Sequence, residues 1–225
     1  MKNQLPAALA AALLLVACNQ TPTAPKPKTD EEKTVYALGV AVQESLKPFA
    51  FTPAELELVI SGLRDSAAGK AEIKVADKQM DIQKLALARQ AAQAAEGSKK
   101  GVEYQEKAAK EPGAVKTASG LIFVPVKEGT GPSPVATDKV KVHYTGKLID
   151  GTVFDSSVTR GSPVTFPLAG VIACWTEGVQ KIKVGGKGRL VCPAAIAYGD
   201  RSPPGSAIPP GSTLDFEVEL LEIVK

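Results

Sequence analysis

The chain has 225 residues, of which 44% are hydrophobic and 23% are charged. This composition is typical of a globular protein, and the length allows one ordinary domain together with a smaller one. The formal net charge of +3 is spread along the chain and forms no basic stripe interleaved with aromatic residues. The charge pattern therefore argues against nucleic acid as a partner.

Residues 1–17 have the pattern of an export signal. Lys2 is followed by an apolar run too short to span a bilayer, and the run ends in the letters LVAC at Cys18. This ending resembles a bacterial lipobox, in which the cysteine thiol is acylated and becomes the new N-terminus. We expect residues 1–17 to be a lipoprotein signal peptide and Cys18 to be the lipidation site; a plain secretory signal with an incidental cysteine is the alternative.

The residue after this cysteine indicates a location. Asn19 stands where an aspartate would favour retention in the inner membrane of enteric bacteria. We therefore expect a lipid-anchored protein in the cell envelope of a Gram-negative bacterium, at the outer membrane and facing the periplasm. Acyl chains on Cys18 would hold it there, since each buried methylene contributes about 0.8 kcal/mol. Residues 18–28, rich in Pro, Thr and Lys, are typical of a flexible tether.

Two further cysteines, Cys174 and Cys192, lie in the C-terminal half. If Cys18 carries lipid, they are a pair in an oxidising compartment, where disulfides persist. A structural disulfide is the favoured interpretation, and two buried free thiols are the alternative. Their separation does not match a CxxC redox motif, and the single histidine of the chain argues against a zinc site. We expect no metal and no cofactor.

Residues 29–76 predict two amphipathic helices. The first begins at a capping box of Thr29 and Glu32, and the second begins at Thr52, with Glu55 three residues later. A region this small is marginal by itself, so we expect it to pair with a second copy and form a homodimer. A helical cap on the C-terminal domain of the same chain is the alternative. The apolar stripes of the two helices are Val35, Leu38, Val42 and Leu46, and Leu56, Val59, Ile60 and Leu63.

Residues 77–113 predict a long connecting helix. Ala, Gln, Lys and Glu dominate this segment, and large apolar residues are few. A helix that is polar on nearly all sides is usually a solvent-exposed bridge between domains. At 1.5 Å per residue, such a helix would extend roughly 50 Å.

The C-terminal half changes from helical periodicity to alternation. Apolar and polar residues alternate in 140–145 and again in 214–220, which predicts half-buried strands. Asp150-Gly151 is a strong turn signal, and the one plausible helix lies within 170–180. Together these elements predict an α+β domain in which an antiparallel sheet wraps around one short helix.

The same half contains motifs in a defined order. Residues 142–157 read VHYTGKLIDGTVFDSS, and Trp175, AYG, IPP and the LxF that ends at Phe216 follow. These motifs resemble the FKBP-type peptidyl-prolyl cis-trans isomerases. The helical front half and the lipobox are similar to the Mip-like and FkpA-like lipoprotein branch of bacterial isomerases. The resemblance implies that residues 116–225 are the isomerase domain, carried on a helical arm and dimeric through the N-terminal helices.

The resemblance also implies roles for individual residues. The proline ring of a substrate would rest on the single tryptophan, the backbone N–H of Ile172 and the hydroxyl of Tyr198 would hold substrate carbonyls, and Asp155 would orient polar groups at the rim. The implied catalytic residues are Tyr144, Phe154, Asp155, Ile172, Trp175, Tyr198 and Phe216, and the implied substrate-pocket residues are Val164, Val171, Ala207 and Ile208.

Three positions depart from better-known members of the family. Val164 stands where an aromatic residue usually helps to wall the pocket, and Ala207 replaces a larger aliphatic residue. Both leave open how tightly macrolide inhibitors bind and which residue is preferred before proline. Cys174 replaces the small residue that precedes Trp175.

Three functions are compatible with these features. The first is an isomerase that accelerates rotation of Xaa-Pro bonds, without covalent chemistry, in unfolded or nascent envelope proteins. The second is a dimeric periplasmic chaperone clamp in which isomerisation is incidental. The third is a lipoprotein that uses the fold as an inert scaffold. We place the first ahead of the others because its residues can be identified one by one.

Overall fold

The computed structural model describes residues 26–201 and 205–224. The predicted signal peptide, most of the tether and Cys18 lie outside the described residues. Within them the chain has four α-helices and one seven-stranded antiparallel sheet, which confirms the predicted α+β class. None of the helices in this part of the chain is both long and apolar enough to cross a bilayer. The chain divides after Ser45 into two compact units.

Helices α1 (Asp30–Leu46) and α2 (Pro53–Ala67) both begin at the predicted capping boxes. In the second box the Thr52 hydroxyl accepts from the Glu55 backbone N–H at 3.3 Å, and the Glu55 carboxylate accepts from the Thr52 backbone N–H at 2.8 Å. Neither helix contains a buried residue. Large apolar side chains of both helices are therefore exposed, including Val35, Leu38, Val42, Leu58 and Leu63.

Helix α3 (Val75–Ala108) has 34 residues, a length of about 50 Å. Its second half packs on the segment that leads into the last strand. A Cβ added at Gly97 would lie 2.9 Å from the Pro210 carbonyl oxygen, and one added at Gly101 would lie 2.3 Å from Thr213 Oγ1. The two glycines permit this close approach, because neither carries a side chain.

The C-terminal end of α3 is fastened by a group of charged and polar side chains. Arg189 donates to the Asp215 carboxylate at 2.9 and 3.0 Å, to the Glu111 carboxylate at 2.7 and 2.8 Å, and to the Tyr104 hydroxyl at 2.9 Å. The hydrogen bond to Asp215 raises the pKa of the guanidinium, against the opposite effect of burial. Beside this group, buried Ala108 packs on the sheet. The last turns of α3 thus belong structurally to the C-terminal domain.

The sheet has the strand order β1-β2-β6-β7-β3-β4, with β5 paired to β3. Helix α4 (Ala173–Val179) packs on one face, where the main core lies, and the end of α3 packs on the other. Strands β3 and β7 pair so that Tyr144 lies opposite Val218 and Gly146 lies opposite Phe216. The strands are β1 (Val115–Lys116), β2 (Ile122–Lys127), β3 (Lys139–Leu148), β4 (Val153–Ser156), β5 (Val164–Pro167), β6 (Lys187–Cys192) and β7 (Leu214–Val224).

The contact between α3 and the segment before β7 predicts a large cost for one substitution. Gly211 has φ +69°, and an added Cβ would lie 2.3 Å from the backbone oxygen of Ala94 in α3. Gly161 has φ +71° but open space around its Cα. We expect Gly161→Ala to cost about 1 kcal/mol through backbone strain alone, and Gly211→Ala to cost roughly 3 kcal/mol or more because α3 must also shift. Denaturant unfolding measures both, and equal losses would show that the close approach is unimportant.

Candidate active site

A cluster of aromatic rings surrounds the single tryptophan of the chain. Trp175, on α4, is 4% exposed, and its ring centroid lies 5.1 Å from that of Tyr144, 5.3 Å from Phe216 and 5.7 Å from Phe166. All three rings meet the indole nearly at right angles, the favoured edge-to-face arrangement of aromatic pairs. We call Tyr144, Phe154, Phe166, Trp175 and Phe216 the ring cluster.

A glycine allows the rings to lie this close to the sheet. Phe154 packs edge-to-face on Phe216 with centroids 5.6 Å apart, and both rings lie over Gly146 of β3. A Cβ added at Gly146 would be 2.6 Å from Phe154 Cζ and 2.9 Å from Phe216 Cε1. Any larger residue at position 146 would push Phe154 and Phe216 away from the strand.

The indole N–H has an unusual environment. Trp175 Nε1 is the one buried side-chain polar atom in residues 26–201 and 205–224 that lacks a hydrogen-bond partner. A buried donor without a partner costs free energy, and such groups are rare enough to need an explanation. Here the aromatic rings around Trp175 keep its surroundings apolar, and the indole N–H is left without an acceptor.

A polar network borders the ring cluster on one side. The Tyr144 hydroxyl and Arg160 both donate to the Asp155 carboxylate, and Arg160 Nη2 donates to the Tyr144 hydroxyl at 3.3 Å. Burial, with the Asp155 hydrogen bond, raises the pKa of Tyr144. Burial alone would also raise the pKa of Asp155, but the hydrogen bonds from Tyr144 and Arg160 outweigh it and lower that pKa. Asp155 is therefore ionised and the Tyr144 hydroxyl protonated at neutral pH.

Two donors that the sequence analysis assigned to the substrate have no partner among the described residues. Ile172 is the residue before α4, and its carbonyl accepts from the Trp175 and Thr176 backbone N–H groups at 2.9 and 3.1 Å. Its own backbone N–H donates no hydrogen bond within this part of the chain. Tyr198 lies on the loop between β6 and β7, is 42% exposed, and its hydroxyl is likewise without a described partner. Their predicted role as donors to a substrate stays a prediction.

The remaining pocket residues of the sequence analysis are not all brought together. Ile208 is buried in the main core, and Val164, Val171 and Ile172 pack against it as partly buried side chains. Ala207 is exposed and does not join this core.

Sequence reasoning missed two residues of the site. Phe166 follows Val164 by two positions on β5, so the period-2 rule for strands could have placed it on the same face. Arg160 carries a charge five residues after Asp155, but nothing in a loop sequence indicates that the two side chains meet. Phe166 supplies an aromatic ring on β5, the strand on which Val164 replaces the usual aromatic residue.

A disulfide holds the helix of the ring cluster to the sheet. Cys174 of α4 and Cys192 of β6 are joined, with Cα atoms 5.7 Å apart, and both are fully buried. Since Cys174 directly precedes Trp175, the covalent link fixes the position of the indole relative to β6. Among residues 26–201 and 205–224 no group of three or more His, Cys, Asp or Glu side chains could hold a metal ion.

Comparison with known families and proteins identifies the family. The model for the FKBP-type peptidyl-prolyl cis-trans isomerase domain matches residues 131–221, and the model for the domain amino terminal to it matches residues 31–124. The chain is 42% identical to the FKBP-type 22 kDa peptidyl-prolyl cis-trans isomerase of Escherichia coli over 208 residues, which cover 90% of this chain and all of the relative. The chain belongs to the FKBP-type peptidyl-prolyl cis-trans isomerases.

FkpA is a further relative of this isomerase. The chain is 41% identical to the FKBP-type peptidyl-prolyl cis-trans isomerase FkpA of Escherichia coli over 211 residues, covering 87% of this chain and 77% of FkpA. The crystal structure of that protein superposes with a TM-score of 0.68 at 40% identity, over 88% of this chain and 98% of the other. The resemblance to the FKBP-type isomerases and their FkpA-like branch is thus confirmed, and so is isomerase activity as the enzyme class.

The network around Asp155 predicts a pH dependence of stability. Because the folded pKa of Asp155 lies below its ordinary value of 3.8, its contribution to stability is complete above that pH and is lost as the pH falls through the folded pKa. Asp155→Asn removes the charge at every pH. We expect the unfolding free energy of the variant to be lower than that of wild type by a constant amount at pH 5–7, and the difference to shrink below pH 3.8. A difference that persists unchanged at pH 2 would contradict the assignment.

Proposed function

We propose that this isomerase accelerates rotation of Xaa-Pro bonds in unfolded or nascent envelope proteins and so assists their folding. The observation that carries the proposal is the ring cluster, in which a buried indole is surrounded by aromatic edges. A proline ring, which is apolar and lacks a backbone donor, matches such a floor.

The chemistry requires no covalent intermediate. Rotation of a prolyl bond crosses a barrier of about 18–20 kcal/mol because it breaks amide resonance, although the cis and trans forms differ by only about 0.5–1 kcal/mol. The planar amide has more charge separation than the twisted one, so a dry apolar site penalises the ground state more than the transition state. Lowering the time from tens of seconds to about a millisecond requires about 6–7 kcal/mol.

Each residue of the site has a proposed part in this step. The proline ring rests on Trp175 between Tyr144, Phe154 and Phe216, while Val171, Ile172 and Ile208 close the sides. The backbone N–H of Ile172 and the Tyr198 hydroxyl donate to substrate carbonyls; both lack a partner in the described chain, which supports this role. Asp155, held by Arg160, orients polar groups at the rim. A macrolide that mimics the prolyl ring is expected to compete for the same floor, with Val164 and Ala207 reducing its contacts.

The setting of the enzyme is a further part of the proposal. We place it in the periplasm of a Gram-negative cell, attached to the outer membrane through acylated Cys18. The lipobox-like LVAC letters and Asn19 support this attachment. The named relatives come from Gram-negative bacteria, including Escherichia coli, Aeromonas hydrophila and Neisseria meningitidis, which supports an envelope location.

We also propose that the protein is a homodimer joined through its N-terminal helices. In α1 the side chains of Leu38 and Val42 are 64% and 45% exposed, although they belong to the stripe expected to be buried. A second copy would remove this apolar surface from water, at roughly 25 cal/mol per Å².

A chaperone clamp is the second candidate function. The first half of α3 also exposes large apolar side chains, among them Met80, Ile82 and Leu87. Such surface could hold unfolded chains while the isomerase domains act on their prolines. The two functions are compatible, and catalysis takes precedence because five of its implied residues contact one another in the ring cluster and the polar network beside it.

Truncation of one ring tests the site. Phe154→Ala should lower kcat/KM for a short Xaa-Pro peptide about tenfold to a hundredfold, equivalent to about 1.4–2.7 kcal/mol of transition-state stabilisation. Val153→Ala, in the same strand at a side chain that is 50% exposed, is the matched control and should keep wild-type activity. A protease-coupled isomerisation assay measures both. If Phe154→Ala were as active as Val153→Ala, the ring cluster would not be the site.

The homodimer is tested by the mass of the purified protein. Light scattering should give twice the mass of one chain for the wild type. The double variant Leu38→Asp/Val42→Asp should give the mass of one chain, because two charges cannot be buried in an apolar interface. Lys33→Asp/Ala37→Asp places two acidic side chains at exposed positions on the side of α1 turned away from the stripe and should remain a dimer. A monomeric wild type would exclude the homodimer and the clamp that depends on it.

A further inference from the structure

A recess lies between α3 and the end of β3. Its volume is about 520 Å³, within the range of about 300–1,000 Å³ typical of ligand sites. Apolar groups line it on two sides: Ala50 and Ala92 on one, and Leu148, Ile149 and Pro209 on the other. We call the recess defined by these residues the helix groove.

Charged side chains at the rim of the helix groove are paired. Arg89 forms an ion pair with Glu55, and Lys100 lies 3.3 Å from Glu96. The Asp150 carboxylate accepts from a backbone N–H two residues later at 2.9 Å. The basic side chains therefore have acidic partners within the chain. The lining also includes Gln93, Ser212 and Thr213, each of which makes a hydrogen bond within the chain, and the rest of its surface is mostly apolar. An uncharged, apolar occupant fits this lining better than an ion or a phosphate.

One residue links the helix groove to the ring cluster: Leu148 lines the groove and also packs against the main core, which contains Tyr144, Trp175 and Phe216. Leu148 lies on the same face of β3 as Gly146, on which the Phe154 and Phe216 rings pack. Two residues of a strand span about 7 Å, so the backbone of Leu148 lies roughly that distance from the backbone of Gly146, over which the rings pack. On the other side, Pro209 lines the groove and directly follows Ile208 of the main core. An extended peptide would cover the distance with two residues.

We propose that the helix groove binds apolar side chains of the polypeptide whose proline occupies the ring cluster, at two to four residues from that proline. The inference rests on the proposed function, since it takes the ring cluster as the proline site. It makes α3 part of the substrate site, because Ala92 forms one wall. Clients with an apolar residue at this distance are then selected over clients with polar flanks, without any change in the rotation step.

Three peptides with the same central Xaa-Pro test the proposal on the purified full-length protein. The first has no flanking residues, the second has leucines at two to four residues on both sides, and the third has serines there. The ratio of the KM of the serine peptide to that of the leucine peptide should be about ten in the wild type, with similar kcat. A tenfold ratio corresponds to 1.4 kcal/mol. The serine peptide should behave like the short one.

Variants of the groove decide where the leucines bind. Ala92→Trp fills the groove from α3 and should bring the KM ratio to about one. Ala88→Trp makes the same change one turn earlier, at an exposed residue outside the lining, and should keep the ratio near ten. Ile149→Ser removes apolar lining without adding bulk and should also lower the ratio, which keeps the test valid if Ala92→Trp does not fold.

The outcomes separate this proposal from the function on which it rests. A wild-type ratio of one, or a ratio of ten that survives both Ala92→Trp and Ile149→Ser, overturns the groove while leaving isomerisation intact. A leucine peptide and a serine peptide that both bind more tightly than the short peptide would mean recognition of the backbone, and would overturn an apolar site. Failure of the ring cluster itself is recognised separately, by wild-type activity of Phe154→Ala on the short peptide.

Discussion

The pairing of β3 with β7 is the constraint on which the site depends. Ten residue pairs set Tyr144 and Gly146 opposite Val218 and Phe216. Because side chains alternate across a strand, a shift of β7 by one residue would leave Tyr144 and Phe216 on opposite faces of the sheet. The register therefore places the rings of Tyr144 and Phe216 on the face towards α4. It also places Gly146 beneath the Phe154 ring and Leu148 at the end of the same apolar face.

Helix α4 is too short to hold the indole by itself, and three further interactions position it. The Ile172 carbonyl accepts from the backbone N–H groups of Trp175 and Thr176, and the disulfide of Cys174 joins the helix to β6. Gly178 lets the helix lie close to Leu190, since an added Cβ would be 2.6 Å from that side chain. A dry apolar floor is useful for prolyl rotation only if it is rigid, because a loose one would admit water. The unpartnered Trp175 N–H is consistent with that requirement.

The two faces of the sheet carry different kinds of interaction. The face towards α4 is apolar and aromatic, whereas the face towards α3 combines a small apolar cluster with the Arg189 network. Asp215 and Phe216 are neighbours in β7, so the strand that presents a ring to one side presents a carboxylate to the other. Burying that carboxylate is tolerable because Arg189 and Tyr104 satisfy it. The arrangement ties the end of α3 to the strand that carries part of the site.

Local patterns in the sequence were sufficient to predict much of this architecture. The capping boxes at Thr29 and Thr52, the alternation around Tyr144 and the ordered motifs from Val142 to Phe216 depend on neighbouring residues, and they predicted the elements and the family. The lipobox-like segment likewise predicts export, although it lies outside the described residues. Contacts between distant side chains were not predictable in this way. The contacts of Arg160 with Asp155 and of Phe166 with Trp175 depend on how the segment after β4 folds back onto the sheet.

The amino-acid sequence alone determined the α+β class and the enzyme family, because periodicity and motif order are local properties of the chain. Only the tertiary structure decided that the polar helix α3 packs on the domain through Gly97 and Gly101, that Arg189 fastens its end, and that a recess opens between α3 and the end of β3. These features arise where segments a hundred residues apart meet, and no local pattern encodes such a meeting. The physical reason is that close packing depends on the shapes of both surfaces, whereas a sequence pattern describes one surface at a time.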